Sequence, residues 1–261
     1  LRHPGCPWSM SSPGRAGPWV SWSASTTTPQ AGRLRQFHQF GVEAFGVSDP
    51  RADIEVLSLL WRFLSDLTLP GLTLEINNLG YAEDRARYKP LLVAFLKGVD
   101  SRLCGNCQRR IEANPLRVLD CKVPECRAAT EEAPRLADSL SPPARDHFEK
   151  VTAALQSVGI PFQMNPRLVR GLDYYCLTAF EVTCSHLGAQ NAVGAGGRYD
   201  GLVESLGGPA THGVGFALGL DRTLLACDDE GVFAPPTTDV QVFVVDEHPR
   251  PQTTADGLTK L

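Results

Sequence analysis

The sequence predicts an α+β fold, in which a sheet flanked by helices is interrupted by a helical insertion. Apolar and polar residues alternate over residues 33–46, the pattern of a β-strand. Residues 81–165 combine helical apolar spacing with a loop-rich stretch, and from residue 168 the chain becomes rich in strand-forming residues and glycine. Two sheet-forming regions on either side of a helical one therefore indicate a single sheet with an insertion.

Local signals define the elements before and within the insertion. Ser48-Asp49-Pro50 is a helix start, and apolar residues recur at helical spacing after it. Residues 72–76 alternate as a strand, with an exit turn at 77–80. The insertion contains one amphipathic helix around residues 88–96 and a second that begins at Ser141 and Pro142 and stops at Gly159.

The two ends of the chain differ from its middle. Residues 1–28 are rich in Ser, Pro and Trp without a period, so we expect an unrelated leader of low order. Residues 214–227 predict a strand that turns into a helix at Gly219, and a linker follows at 234–238. The apolar run 240–245 predicts a buried strand, so residues 236–261 would begin a further α/β domain. The core is then divided into residues 29–80 and 166–232.

Composition excludes several classes of protein. The 261 residues carry a net charge of −4, and no apolar run reaches the roughly 18 residues that span a membrane. The slightly acidic total argues against a protein that coats DNA or other nucleic acid electrostatically. Eight cysteines are too few for a disulfide scaffold, and no signal peptide is evident, which indicates a reducing cytoplasm. The chain begins at Leu1, and we expect it to be part of a longer protein.

Five arginines in the segments richest in Arg, Tyr, Gly and carboxylates are candidates for a polyphosphate site: Arg33, Arg35, Arg170, Arg198 and Arg222. The alternative is that each pairs with a carboxylate at the surface. Tyr199 occupies a position where a dinucleotide-binding loop needs glycine, and the sequence has no Gly-Lys dipeptide for a P-loop. What remains is a phosphate site of arginine side chains on an antiparallel sheet. Gln39 and Glu43 share one strand face, which faces either a polar cleft or solvent.

Four segments resemble one family. PQAGRLRQFHQFGVEAFG (29–46) is similar to the end of the second motif of class II aminoacyl-tRNA synthetases, and GVGFALGLDRTLLA (213–226) resembles their third motif. LVRGLDYY (168–175) and AGGRYDGLVESLGG (195–208) resemble the two histidine-specific signatures. The chain is thus identified as a member of the histidyl-tRNA synthetase family over residues 29–226. The resemblance implies the class II antiparallel sheet, ATP-dependent formation of histidyl-adenylate with Mg²⁺, transfer of histidine to tRNA(His), and a homodimer in the full-length protein.

The resemblance also implies roles for individual residues. Gln39, Glu43, Tyr174 and Tyr175 match the histidine pocket, and an imidazole needs fixed donor and acceptor partners. Arg170 matches the arginine that contacts the substrate carboxylate and the α-phosphate, and it is a catalytic candidate together with Arg222. Arg33 and Arg222 match arginines on the ATP phosphates. No general base is required, since the attacking carboxylate is already ionised.

Several family features are missing from the sequence. An upstream arginine of the second motif would fall in the leader, the first motif is absent, and the anticodon-binding domain would be represented by residues 239–261 alone. We therefore expect this chain to be incomplete at both ends and inactive or impaired by itself. An alternative is the synthetase-like regulatory subunit of the histidine-biosynthetic ATP phosphoribosyltransferase, which shares the fold without catalysis.

The insertion carries a second constellation, Cys104-x2-Cys107 and Cys121-x4-Cys126. Two close pairs are compatible with a structural zinc ion, and the alternative is four reduced thiols. The other cysteines are scattered and are expected to serve packing or to lie at the surface. Four isolated histidines, His38, His147, His186 and His212, receive no metal or catalytic role.

Overall fold

The computed structural model describes residues 15–16, 19–23, 36–170, 174–185, 187, 191–229 and 231–232. In this part of the chain one sheet contains the strands β1 (Arg15–Ala16), β2 (Trp19–Ser23), β3 (Gln36–Phe45), β4 (Leu72–Asn78), β5 (Gln163–Met164), β6 (Cys176–Cys184), β7 (Ala192–Arg198) and β8 (Gly213–Gly219). The helices are α1 (Arg51–Asp66), α2 (Ala82–Gly98), α3 (Gly105–Ala113), α4 (Leu116–Leu119), α5 (Pro124–Ala129), α6 (Pro142–Ser157), α7 (Leu202–Ser205) and α8 (Leu220–Asp229), with 3-10 turns at Asp100–Arg102 and Leu136–Ser139.

The strand order is β1-β3-β8-β7-β6-β4-β5, and β2 also pairs with β3. Every pairing is antiparallel except the short one between β4 and β5. The prediction of an antiparallel sheet flanked by helices is confirmed. Strands from both halves of the sequence are interleaved, because β8, β7 and β6 lie between β3 and β4.

One face of the sheet is covered by helices and forms the main core. Phe180 and Phe216 project from β6 and β8 and are almost fully buried, with α1 and α6 contributing the aliphatic side chains that contact this face. Each such side chain stabilises the fold by about 1.5–3 kcal/mol through its removal from water. Because successive side chains of a strand point to opposite faces, the residues between these core positions lie on the other face of the sheet, outside this core.

Helix α1 begins and packs as its sequence predicts. The Asp49 carboxylate accepts a hydrogen bond from the Arg51 backbone N–H at 2.9 Å, which satisfies one unpaired donor of the first turn. Leu57, Leu60 and Leu64 lie on one side of the helix and are fully buried. Amphipathic spacing at this helix therefore identified the buried face correctly.

The predicted helical insertion, residues 81–165, contributes side chains to two separate hydrophobic cores. Residues 81–165 are mostly helical as expected, but α6 contributes Phe148, Val151 and Leu155 to the core under the sheet. A separate second core is formed by α2 to α5, together with Leu140, Ala144 and the start of β6. The physical reason is that the apolar face of α6 covers the sheet beside α1, which sequence order alone does not reveal.

One local prediction was wrong. The leader was expected to lack regular structure, yet β1 and β2 pair with β3; the sequence Trp-Val-Ser-Trp-Ser of β2 does alternate, which suits a strand on a hairpin. Ser141 is the N-cap residue of α6 and Pro142 begins the helix, as expected, but the Ser141 Oγ donates to Asp84 Oδ2 at 3.1 Å and not to the first turn of α6. The rest of the leader, the linker at 234–238 and the domain start at 236–261 lie outside the described residues. Among the helices of the described part, none has the length and apolarity needed to cross a membrane.

Candidate functional site

The open face of the sheet has a floor of small residues with carboxylates beside it. Register places Gly215 opposite both Glu43 in β3 and Gly197 in β7. A Cβ at Gly215 would overlap Glu43 Oε2, and one at Gly197 would lie 2.9 Å from the Tyr175 ring. The glycines therefore allow the Glu43 carboxylate and the Tyr175 ring to lie directly on the strands.

Glu43 is held by Tyr199, which follows β7. The Tyr199 hydroxyl donates a hydrogen bond to Glu43 Oε2. Burial raises the pKa of Glu43 above its ordinary value, and the hydrogen bond from Tyr199 opposes that rise. Burial and the nearby Glu43 charge raise the pKa of Tyr199 as well, so its proton is retained for donation.

Three tyrosine rings surround this carboxylate. Tyr174 and Tyr175 have centroids 4.7 Å apart, and each lies nearly perpendicular to Tyr199 at 6.1 and 6.2 Å respectively. Burial raises the pKa of Tyr175, which keeps its hydroxyl neutral. These rings form an aromatic wall that suits a flat, partly polar ligand. The sequence-predicted residues Glu43, Tyr174 and Tyr175 are thus brought together.

Arg170 lies on the same side of the molecule, at the β6–β7 pair. Its guanidinium donates to the Phe180 carbonyl and, from Nη2 at 3.1 Å, to the Gly196 carbonyl; Nη1 lies 3.4 Å from Glu181 Oε2. Its Cζ is 5.7 Å from the Tyr175 ring centroid, within cation–π range. Half-buried and fixed by carbonyls, Arg170 presents positive charge next to the tyrosines.

Gln39 and Arg222 extend the site toward α8. Gln39 lies opposite Gly219 in β8, on the strand face that also carries Glu43. Arg222, in the first turn of α8, donates from Nη1 to the Ala192 carbonyl at 3.1 Å. The preceding Asp221 accepts a hydrogen bond from the His38 backbone N–H at 2.6 Å, which ties α8 to β3. Both predicted residues are therefore at the β3–β8 end of the open face.

Arg198 was wrongly grouped with the candidate phosphate ligands. Its side chain is fully buried on the helix-covered face, where it forms an ion pair with Asp53 of α1 and another with Asp200 at 3.1 Å. The reason is strand alternation: Gly197 and Tyr199 face the open side, so Arg198 faces the core. Arg33 and Arg35, the other two candidates, lie outside the described residues.

Sequence reasoning missed two residues of the site. Tyr199 anchors Glu43, and Glu181 pairs with Arg170. The signal for Tyr199 was present in the Gly-Gly-Arg-Tyr segment, since a strand that buries Arg198 must turn its neighbour to the other face. Glu181 had no comparable signal, because β6 otherwise consists of apolar, small or hydroxyl-bearing residues.

The four cysteines of the insertion converge. The Sγ atoms of Cys104, Cys107, Cys121 and Cys126 all lie within 4.8 Å of one another. The Cys104 thiol accepts a hydrogen bond from the Cys107 backbone N–H, which lowers its pKa to about 7. Burial raises the pKa of Cys107 and of Cys126. Four thiols at this separation could hold one tetrahedral metal ion.

The geometry of the open face suits a specific chemistry. A half-buried carboxylate can accept a hydrogen bond from an N–H donor, and tyrosine rings can enclose a flat ligand. Arginines at two positions match carboxylate or phosphate oxygens. Together these groups could bind an amino acid with a polar ring beside a nucleotide phosphate.

Comparison with known proteins agrees with this chemistry. A family model described as histidyl-tRNA synthetase matches residues 21–92 and 101–223. The histidine–tRNA ligase of Maridesulfovibrio salexigens is 53% identical over 221 residues, which is 84% of this chain and 53% of that protein. The chain thus spans about half the length of the curated relatives it matches.

Solved structures give the same result. The apo histidyl-tRNA synthetase of S. aureus aligns with a TM-score of 0.66 and 36% identity, covering 88% of this chain and 54% of that one. A Bacillus halodurans structure, titled an ATP phosphoribosyltransferase regulatory subunit/histidyl-tRNA synthetase, has a TM-score of 0.56 at 23% identity and covers 83% of this chain and 59% of that one. The second likeness shows the fold alone.

Proposed function

Because this chain belongs to the histidyl-tRNA synthetase family, we propose that its open sheet face binds histidine and ATP within a histidine–tRNA ligase. The observation that carries the proposal is the Tyr199–Glu43 hydrogen bond inside the tyrosine wall, with Arg170 beside it. In that arrangement, Glu43 is an acceptor for a ring N–H and Arg170 is a cation for an acid group, within one site.

On the histidine side, Glu43 accepts a hydrogen bond from one imidazole nitrogen while Gln39 offers a donor or acceptor to the ring. The raised pKa of Glu43, caused by burial, reflects a carboxylate whose lost hydration a ligand N–H replaces. Tyr174 and Tyr175 enclose the ring. Specificity for histidine follows, because an amino acid without ring N–H groups could not replace the hydration that the half-buried Glu43 carboxylate has lost.

On the nucleotide side, Arg170 binds the histidine carboxylate and the α-phosphate, and Arg33 and Arg222 bind the phosphates of ATP. One carboxylate oxygen of histidine bonds to the α-phosphorus as the bond from that phosphorus to its bridging oxygen breaks, and pyrophosphate leaves. A terminal ribose hydroxyl of tRNA(His) then attacks the carbonyl carbon, AMP leaves, and the hydroxyl proton is released to solvent. Positioned guanidinium groups stabilise the charge that develops on the phosphate oxygens.

Two ions accompany this function. Mg²⁺ enters with ATP and neutralises phosphate charge. Zn²⁺ is proposed at Cys104, Cys107, Cys121 and Cys126, supported by the convergence of their Sγ atoms within 4.8 Å. We also propose a homodimer for the full-length protein and a cytoplasmic location, the latter supported by the free thiols of the seven described cysteines.

Calorimetric titration of histidine into the folded chain tests the histidine site. We expect binding that is lost or weakened at least tenfold, roughly 1.4 kcal/mol, in Glu43→Gln. Glu149→Gln, an exposed glutamate in α6, is the matched control and should bind as the unmodified chain does. Histidinol, which lacks the carboxylate, should bind equally to the unmodified chain and to Arg170→Met, whereas histidine should discriminate between them.

Histidine-dependent ATP–pyrophosphate exchange with Mg²⁺ then separates a ligase site from a histidine sensor. Exchange that Arg222→Met abolishes supports the ligase, whereas histidine binding without any affinity for ATP favours the regulatory-subunit alternative. A folded chain that binds neither histidine nor histidinol contradicts the proposed site.

A further inference from the structure

The four-cysteine cluster is built from short helices and the residues that flank them. Cys104 precedes α3, Cys107 lies in its first turn, Cys121 follows α4, and Cys126 lies in α5. Helices of nine, four and six residues are too short to be stable without tertiary contacts. A metal ion that joins all three would supply what this small core lacks.

The sulfur positions fit a metal better than packing thiols. A tetrahedral zinc site with bonds of about 2.3 Å places its sulfurs roughly 3.8 Å apart, and the four Sγ atoms lie within 4.8 Å of one another. The backbone N–H of Cys104 already donates to Cys126 Sγ at 3.1 Å, a contact between the two pairs. Cys184, by contrast, is buried in β6 with its Sγ near the Pro70 carbonyl, as expected of a packing cysteine.

Arg167 connects the cluster to the rest of the protein. Its Nε donates to the Leu119 carbonyl at 3.2 Å, at the end of α4 and two residues before Cys121. Its Nη atoms donate to the carbonyls of Arg127 and Thr130 at 3.4 Å and to the Thr130 hydroxyl, at the end of α5. That hydroxyl donates in turn to the Cys126 carbonyl at 2.8 Å. One guanidinium thus donates hydrogen bonds to carbonyls at the ends of both cysteine-bearing segments.

Arg167 is also three residues before Arg170. Leu168 and Val169 between them are buried, and Asn77 Nδ2 donates to the Leu168 carbonyl at 2.9 Å. The Arg167 backbone N–H donates to Asn165 Oδ1 at 3.0 Å. The backbone of this segment is hydrogen-bonded to Asn77 and Asn165, and the Arg167 side chain is hydrogen-bonded to the insertion. The segment therefore has little freedom to move unless the insertion moves too.

We propose that the zinc-bound cysteine cluster positions Arg170 through Arg167, which clamps the two cysteine-bearing loops to the segment that leads into the substrate site. Arg167 is a positioning residue and does not contact substrate. The inference rests on the proposed zinc site, and it does not depend on which reaction the open face performs.

Metal content and hydrogen–deuterium exchange of the whole chain test this inference. Purified chain should contain one zinc per molecule, and Co²⁺ should replace it with the intense absorption of tetrahedral thiolate coordination. Removal of zinc by a chelator should accelerate amide exchange roughly tenfold or more in peptides covering both 104–126 and 165–170. Peptides from β3 and β8 serve as internal controls and should not change. Cys107→Ser should lose the metal, and Cys184→Ala should keep it.

Arg167→Met separates the clamp from the metal. With zinc bound, this variant should show fast exchange at 165–170 while 104–126 stays protected, and its histidine affinity should fall at least threefold. Arg167→Lys, which keeps the charge without the forked donors, should recover part of both losses.

Each outcome decides one step. Absence of zinc and of the cobalt spectrum overturns the metal site. The coupling is overturned, even with zinc bound in the protein, by either of two results. One is that removal of zinc leaves amide exchange at 165–170 unchanged, and the other is that Arg167→Met leaves it unchanged. Because exchange needs no substrate, failure of the proposed ligase site would leave these readings intact. If Cys107→Ser fails to fold, the chelator experiment and the exchange measurement on Arg167→Met still test the proposal.

Discussion

The Tyr199 hydroxyl donates a hydrogen bond to the Glu43 carboxylate across strand β8, although the two residues are 156 positions apart in the chain. Gly215 of β8 lies between their strands and has no side chain to separate them. The contact joins residues 29–46 to residues 195–208, two of the four segments that resemble family motifs. The open face therefore exists as a site only after the two halves of the sheet have joined.

Glu43→Gln should stabilise the fold at neutral pH. Burial raises the pKa of Glu43, so the native state binds this proton more tightly than the unfolded chain does. The unmodified protein consequently loses stability as pH rises from the ordinary glutamate pKa of about 4.3 through the raised value, whereas the variant does not. Urea unfolding should show a gain of about 1 kcal/mol at pH 7 that shrinks toward pH 4. A gain that is constant with pH contradicts this origin.

Tyr199→Phe should weaken histidine binding more than it weakens the fold. The variant removes the donor that orients Glu43, and a hydrogen bond to a charged group contributes about 1.5–3 kcal/mol. Tyr88→Phe is the matched control, since the Tyr88 hydroxyl donates to the Pro134 carbonyl at 2.6 Å within the insertion. Calorimetry should show reduced histidine affinity for the first variant alone. Equal affinities in both would mean that Tyr199 does not orient Glu43.

Gly215→Ala should displace Glu43 from the floor of the site. The added Cβ would overlap Glu43 Oε2 and lie 2.6 Å from the Val42 carbonyl, so the strands must shift at a cost of about 1–3 kcal/mol. Gly201→Ala places a methyl group in open space and should change neither stability nor binding. Thermal unfolding and histidine titration of both variants measure the difference. Retained affinity in Gly215→Ala would show that the glycine is not needed for the site.

Asp53→Asn should destabilise the fold strongly. Burial raises the pKa of Asp53, but the His147 imidazole, with Nε2 at 3.4 Å, and the hydrogen-bonded Arg198 guanidinium outweigh it and leave the pKa below its ordinary value. Its contribution is present above the unfolded pKa of about 3.9 and is lost as pH falls through the lowered value. The variant leaves Arg198 buried without its carboxylate, which costs about 3–5 kcal/mol.

Denaturant unfolding between pH 7 and acid pH measures this contribution. Asp146→Asn is the control, because Asp146 pairs with Lys150 at the surface, where solvent screens the charges and such pairs contribute little. The deficit of Asp53→Asn should narrow toward low pH, where the unmodified protein loses the same charge. A loss no larger than the control's would contradict a buried ion pair.

The sequence alone determined the family, the α+β class and the residues on each strand face. Period-two alternation placed Gln39 and Glu43 together, helical spacing identified the buried side of α1, and the cysteine spacing indicated one cluster. These are local properties, because the pitch of a strand or helix fixes the direction of each side chain.

Tertiary structure decided which of these faces meet. It buried Arg198 against Asp53, brought Tyr199 to Glu43 and Glu181 to Arg170, and packed α6 under the sheet. It also set Arg167 between the cysteine-bearing loops and Arg170. Such contacts join residues far apart in the chain, and they depend on strand order and on which apolar face is covered, properties that no local sequence pattern encodes.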